Sequence, residues 1–190
     1  MRSSVVRFRT AWIDVRDEIR DGAKYRCYDA AFQFRKSFFL NRPLISGCIM
    51  KTVLVLEDEP TVMSFLDVVL TSEGYVVLEA TGAEEALQRV EQCEGHVDLL
   101  IADVGLPISS GIRVALRLKQ SIANLRIILT SGYPLATWRD QDRSDLVELP
   151  SSSVVILEKP FSAAALLARV WQLIGPPTEK LPNHSTAATG

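Results

Sequence analysis

Four short segments of this 190-residue chain each end an apolar run with a residue type suited to phosphoryl chemistry. Glu57-Asp58 follow Val53-Leu54-Val55-Leu56. Asp103 follows Leu99-Leu100-Ile101-Ala102, and Thr130 follows Ile127-Ile128-Leu129. Lys159-Pro160 come after Val154-Val155-Ile156-Leu157. Each run reads as a buried strand with its polar residue at or just past the end. In an open parallel sheet such strand ends converge on one edge, where ligands bind. Three carboxylates, a hydroxyl and an ammonium would then share a small volume, and that set suits a divalent cation together with a phosphoryl group.

Asp103 is the candidate nucleophile, because a carboxylate can attack an electrophilic phosphorus to give an acyl phosphate. Alone it would read more simply as a turn residue or helix cap; the company of the other three segments favours the chemical reading. Glu57 and Asp58 are the candidate cation ligands. Two like charges about 4 Å apart repel by roughly 4 kcal/mol at an effective dielectric of 20, and Asp103 adds to this, so a divalent cation would relieve the repulsion. Hard carboxylate oxygens in small number suit Mg²⁺, with Mn²⁺ as a substitute. Thr130 can donate its hydroxyl to a phosphoryl oxygen, and Ser131 and Gly132 are small enough to let a group approach the backbone. Lys159 can place a point charge on phosphoryl oxygens or pair with a carboxylate. Taken singly, Thr130 is an ordinary strand residue, Lys159 a surface lysine and Glu57-Asp58-Glu59 a solubilising acidic cluster.

The intervening residues supply elements that could position these groups. Thr52–Leu56 is an apolar central strand. Pro60 opens a helix with Val62, Phe65, Leu66, Val69 and Leu70 at helical spacing, and Gly74 ends it. Tyr75–Leu78 is a second strand. Gly82–Gln92 is amphipathic, with Ala83, Ala86, Leu87 and Val90 on one face. Val97–Ala102 is the third strand, and a third helix starts near Ser109 or Ser110 with Ile112, Leu116 and Leu118 inward. Arg126–Leu129 is the fourth strand. A shorter, irregular helix and a Pro/Ser connection fill Tyr133–Leu149. Val154–Leu157 is the fifth strand, and Ser162 caps a last helix over Ala163–Ile174. Five strands alternating with five helices predict an α/β open sheet.

Composition bounds the rest. With 47% hydrophobic residues the chain can bury one good core. Residues 1–49 carry ten Lys/Arg against five Asp/Glu, whereas residues 50–190 carry eleven against eighteen. The main domain is therefore acidic, without a nucleic-acid footprint. Five interspersed acids weaken a membrane-surface or nucleic-acid role for the basic segment. Cys27, Cys48 and Cys93 are odd in number and lack metal-ligand spacing, which suits reduced thiols in a cytoplasmic protein. No apolar stretch is long enough to span a membrane. The expected organisation is an N-terminal extension over 1–49, poorly structured or a start-site artefact, a folded domain over 50–175, and a disordered tail over 176–190.

The four segments together resemble the receiver domain of two-component response regulators. The stretches that carry the likeness are Val53-Leu54-Val55-Leu56-Glu57-Asp58-Glu59, Asp103-Val104-Gly105-Leu106-Pro107 with Gly111, Leu129-Thr130-Ser131-Gly132-Tyr133, and Glu158-Lys159-Pro160-Phe161. The resemblance implies a doubly wound, flavodoxin-like receiver fold with a five-stranded parallel sheet in the order 2-1-3-4-5. It also implies that Asp103 is the phosphoacceptor, that Glu57, Asp58, Asp103 and the backbone carbonyl of Gly105 hold Mg²⁺, and that Thr130 and Lys159 bind the phosphoryl group. The implied donor is a phosphohistidine on a sensor histidine kinase or a histidine phosphotransfer protein.

Three features depart from the family pattern. The position three residues before the lysine, usually aromatic, is Ile156. The interval from Thr130 to Lys159 is long, and the extra residues are expected on the surface within Trp138–Ser153. No output domain is recognisable, so output is expected by contact with a downstream protein or by onward transfer. A homodimer through the strand-four to strand-five face, with Ile156, Leu149 and Trp138, is a further expectation. Two other functions compete: a receiver-fold interaction module that does not cycle, and a hydrolase of the haloacid-dehalogenase type. The hydrolase normally has a second aspartate two residues after the nucleophile, where this chain has Gly105.

Overall fold

The computed structural model describes residues 44–45 and 48–180. Expectations for the basic segment up to residue 43 and for the tail beyond residue 180 lie outside the described residues.

Eight strands and five α-helices run through the described chain: β1 (Leu44–Ile45), β2 (Cys48–Met50), β3 (Thr52–Leu56), α1 (Pro60–Ser72), β4 (Val76–Ala80), α2 (Ala83–Gln92), β5 (Leu99–Asp103), α3 (Gly111–Ser121), β6 (Arg126–Ser131), α4 (Asp140–Glu148), β7 (Val154–Glu158), α5 (Ala163–Ile174) and β8 (Thr178–Lys180). Strands β3 to β7 form one sheet in the order β4-β3-β5-β6-β7, parallel throughout. Counting within that sheet, this is the 2-1-3-4-5 order that the resemblance implies.

Every residue of β3 is buried, because helices cover both faces of the sheet. Val53 and Val55 face a cluster with Met63, Leu66 and Leu70 of α1 and Leu166 and Val170 of α5. Leu54 and Leu56 face the opposite cluster, with Ala86 and Val90 of α2, Ile112, Ala115 and Leu118 of α3, and Trp138 and Leu149 flanking α4. Local chemistry sets the helix ends. Pro60 occupies the first turn of α1. Ser110 accepts the Ile112 amide at the start of α3, and Ser162 accepts the Ala165 amide at the start of α5. In α2, Glu84 and Glu85 lie in the first turn and Arg89 in the last, the polarity that the helix dipole favours.

The structure corrects several expectations. Phe65 is not an inner residue of α1 but is 37% exposed, tilted against the Phe161 ring with centroids 6.2 Å apart; Met63 takes the inward place. The long interval after Thr130 is not simply surface. Trp138 and Leu149 are buried in the core, so they cannot make the expected self-association face sticky, and of the three residues only Ile156 is exposed. Polar helix α4 also buries two acids. Asp142 pairs with Arg139 at 2.7 Å and Asp145 with Arg113 at 3.4 Å, while Gln141 donates to Asp145 at 2.6 Å. Charge pairing, which hydrophobic periodicity does not register, takes both acids out of water, and the Asp145–Arg113 pair crosses to α3.

A second, three-stranded antiparallel sheet has the order β1-β2-β8. It pairs residues 48–50 with residues 178–180, segments at the two expected boundaries of the main domain. The Lys51 amide donates to the Pro177 carbonyl at 2.7 Å, the Lys51 ammonium donates to the Ile174 carbonyl, and the Tyr75 hydroxyl donates to the Gly175 carbonyl at 2.6 Å. The exit from α5 is thus fastened beside the entry to β3.

Candidate functional site

The sheet register brings the four segments together. Leu56 pairs with Ala102, Asp103 with Thr130, and Ser131 with Glu158. Backbone bonds extend the ladder past the strand ends: Val104 N–H to Thr130 O at 2.9 Å, and Lys159 N–H to Ser131 O at 2.8 Å. Asp103 and Thr130 are the last and penultimate residues of their strands, one or two positions deeper in the sheet than the apolar runs alone indicate. The Lys159–Pro160 peptide is cis.

Lys159 is the centre of the site. Its ammonium donates to Glu57 Oε2 at 2.8 Å and to Asp103 Oδ2 at 3.1 Å. Gly105 N–H donates to Asp103 Oδ1 at 3.0 Å, so both carboxylate oxygens of Asp103 are held. Glu57 is 2% exposed. Burial raises its pKa above the ordinary glutamate value, and the hydrogen bond from Lys159 only partly offsets this. Burial also disfavours charge on Lys159, yet its bonds to Glu57 and Asp103 outweigh that and raise its pKa. Asp58, on the loop after β3, is exposed. Oxygen atoms of Glu57, Asp58 and Asp103 lie within 4.8 Å of one another, as one divalent cation would require.

Two further features bear on what the pocket accepts. The Thr130 hydroxyl is buried and has no hydrogen-bond partner among the described residues. A buried donor left unmade costs free energy, so an acceptor brought to this edge would satisfy it. Gly111, at the start of α3, packs against the Asp103 backbone. A Cβ there would lie 2.3 Å from the Asp103 carbonyl oxygen. The sequence places Gly111 in a motif, but the close approach is visible only once α3 is docked. Expected site residues Glu57, Asp103 and Lys159 therefore meet directly, Asp58 lies within 4.8 Å of the other two acids, Thr130 stands beside Asp103 in register, and Gly105 contributes its amide to Asp103.

The fold and this acidic pocket are those of a signalling receiver domain. The family model for the response regulator receiver domain matches residues 53–171, and the chain belongs to that family. Over 120 residues it is 31% identical to the Bacillus subtilis alkaline phosphatase synthesis transcriptional regulatory protein PhoP, an alignment covering 63% of this chain and 47% of that one. Over 124 residues it is 32% identical to the Brucella abortus sensor kinase CckA, covering 65% of this chain and 12% of that one. The chain thus spans half or less of these relatives. Among solved structures it is similar to the Thermotoga maritima response regulator TrrA in complex with Mg²⁺-BeF, with a TM-score of 0.52 and 32% identity over 65% of this chain and 99% of that one. Among the described residues, no helix is long and apolar enough to cross a membrane.

Proposed function

We propose that this domain accepts a phosphoryl group from a phosphohistidine onto Asp103 and signals from the phosphorylated state. The observation that carries the reading is the Lys159 ammonium bridging Glu57 and Asp103 within a cluster of three carboxylates. In the transfer, an Asp103 carboxylate oxygen forms the new P–O bond and the donor's P–N bond breaks. The imidazole leaves with the bonding electron pair and takes up a proton. Lys159 stays near the phosphoryl oxygens and offsets their charge, and Thr130 donates its unpartnered hydroxyl to one of them.

Glu57, Asp58, Asp103 and the Gly105 backbone carbonyl would hold Mg²⁺, with Mn²⁺ as a substitute. The donor set fits this, being oxygen only and crowded with like charge. When bound, the cation would neutralise developing charge on the phosphoryl oxygens. The donor would be a sensor histidine kinase or a histidine phosphotransfer protein in the cytoplasm. Output would pass to a downstream protein by contact or onward transfer, without a nucleic-acid contact by this domain. Loss of the phosphoryl group to water is expected to be slow and acts as a timer. Self-association through the face of β6 and β7 would use Ile156.

The test is incubation of the full chain with phosphoramidate and Mg²⁺, read by intact mass. Wild type should gain one phosphoryl mass, and Asp103→Asn and EDTA-treated protein should gain none. An unlabelled wild type under fast quenching would refute phosphoacceptance and favour a non-cycling interaction module.

A further inference from the structure

At the position where receivers usually place an aromatic residue on the last strand of the sheet, this chain has Ile156, aligned with Leu129 of β6. Another aromatic stands close to the other end of the same machinery. Trp138 lies just before α4 and is 6% exposed, within the same apolar cluster as Leu149, Ile112 and the partly buried Leu146. Its indole Nε1–H donates to the Tyr133 carbonyl at 3.0 Å. That carbonyl also accepts the Ser131 hydroxyl at 2.9 Å, and the Ser131 oxygen in turn accepts the Tyr133 amide at 3.1 Å. Ser131 is itself buried and directly follows Thr130.

We propose that Trp138 couples the phosphorylation site to α4 through the Ser131 hydroxyl and the Tyr133 carbonyl, in place of an aromatic residue on the last strand. The proposal rests on the phosphoacceptor reading of Asp103. Thr130 holds a buried hydroxyl with no partner among the described residues, so an acceptor arriving on Asp103 draws it and the strand end toward that edge. Ser131 moves with Thr130 because they are consecutive, and its hydroxyl carries the Tyr133 backbone along. A buried indole N–H must keep an acceptor. Trp138 therefore follows the Tyr133 carbonyl or loses its bond. The displacement reaches α4 one residue later, since Arg139 is the N-cap of that helix.

The remaining attachments of α4 suit an element that shifts. Its ion pair to α3, Asp145 with Arg113, rests on an arginine that is 62% exposed, while Asp142 pairs with Arg139 at the helix's own N-cap and moves with it. A pair of this kind can re-form with the helix in a second position.

The experiment uses the full chain carrying Trp12→Phe and Trp171→Phe, so that Trp138 alone emits. The protein is labelled with phosphoramidate and Mg²⁺. Intact mass gives the labelled fraction, Trp emission follows the indole, and amide exchange follows residues 140–148. The expected result is an emission change proportional to the labelled fraction, with faster or slower exchange across α4. Ser131→Ala should take the same label and lose the exchange change and most of the emission change. Trp138→Phe should also take the label and lose the α4 exchange response, which keeps the proposal open to refutation if Ser131→Ala fails to fold. Full labelling with silent Trp138 emission and unchanged α4 exchange would overturn the coupling alone. So would an undiminished response in both variants. Absence of the label in the parent would overturn the phosphoacceptor reading and the coupling with it.

Discussion

Replacing Lys159 by methionine should destabilise the domain strongly at neutral pH and much less at pH 5. Methionine fills most of the stem's volume but removes the ammonium that lies 2.8 Å from Glu57 and 3.1 Å from Asp103. Removing one member of a buried ion pair typically costs about 3–5 kcal/mol, because the partner stays buried and charged. Glu57 has an escape, which sets the ceiling for its share: it can fold protonated. From the ordinary value of 4.5, protonation at pH 7 costs about 3.4 kcal/mol at 1.36 kcal/mol per pH unit, and at pH 5 only about 0.7 kcal/mol. The cost of the substitution should therefore fall from about 3 kcal/mol to about 1 kcal/mol over that range.

The sign follows from linkage. A carboxyl whose folded pKa is raised binds more protons folded than unfolded, so folding is favoured as pH falls through the folded pKa toward the unfolded value. Burial already raises the Glu57 pKa in wild type, and removing Lys159 raises it further. The assay is urea unfolding of wild type and Lys159→Met at pH 7 and pH 5, without divalent cations and extrapolated linearly to water. A difference below about 1 kcal/mol at pH 7, or one equally large at pH 5, would refute the argument that Lys159 neutralises a buried Glu57 carboxylate.

Three further substitutions test the scaffold. Gly111→Ala places a Cβ 2.3 Å from the Asp103 carbonyl oxygen and 3.0 Å from the Ala102 Cβ; it should cost about 3 kcal/mol in urea unfolding, toward the upper end for overpacking. Gly105→Ala meets the Asp103 carboxylate only at 3.6 Å, an ordinary contact, and should unfold within about 1 kcal/mol of wild type. Tyr75→Phe removes the hydroxyl that holds the Gly175 carbonyl and should cost about 1 kcal/mol at neutral pH. Burial, aided by the charge of Glu73, pushes the Tyr75 pKa from 10.0 up to about 12. The wild-type contribution is thus complete below pH 10 and lost as pH rises through about 12, so the gap between wild type and Tyr75→Phe in urea unfolding should narrow across that window.

The five core strands and the polar residues at their ends are legible in the amino-acid sequence. A strand buried on both faces must be a continuous apolar run, and a chemical site must lie where such a run stops. Glu57, Asp103, Thr130 and Lys159 were legible for that reason, and helix caps such as Ser110 and Ser162 were legible from their local hydrogen-bonding chemistry. Which of these residues meet depends on the folded arrangement. Lys159 meets Glu57, far from it in sequence, because parallel register aligns β3, β5, β6 and β7 at one edge, and no local pattern records that alignment. The unpartnered Thr130 hydroxyl, the close approach of Gly111 and the burial of Trp138 depend on helices docking over that edge. Asp142 and Asp145 were unreadable as buried residues because ion pairing, rather than apolar spacing, takes them out of water. The small β1-β2-β8 sheet was unreadable too, since strands of two or three residues carry no detectable period and form only when two segments distant in sequence are brought side by side.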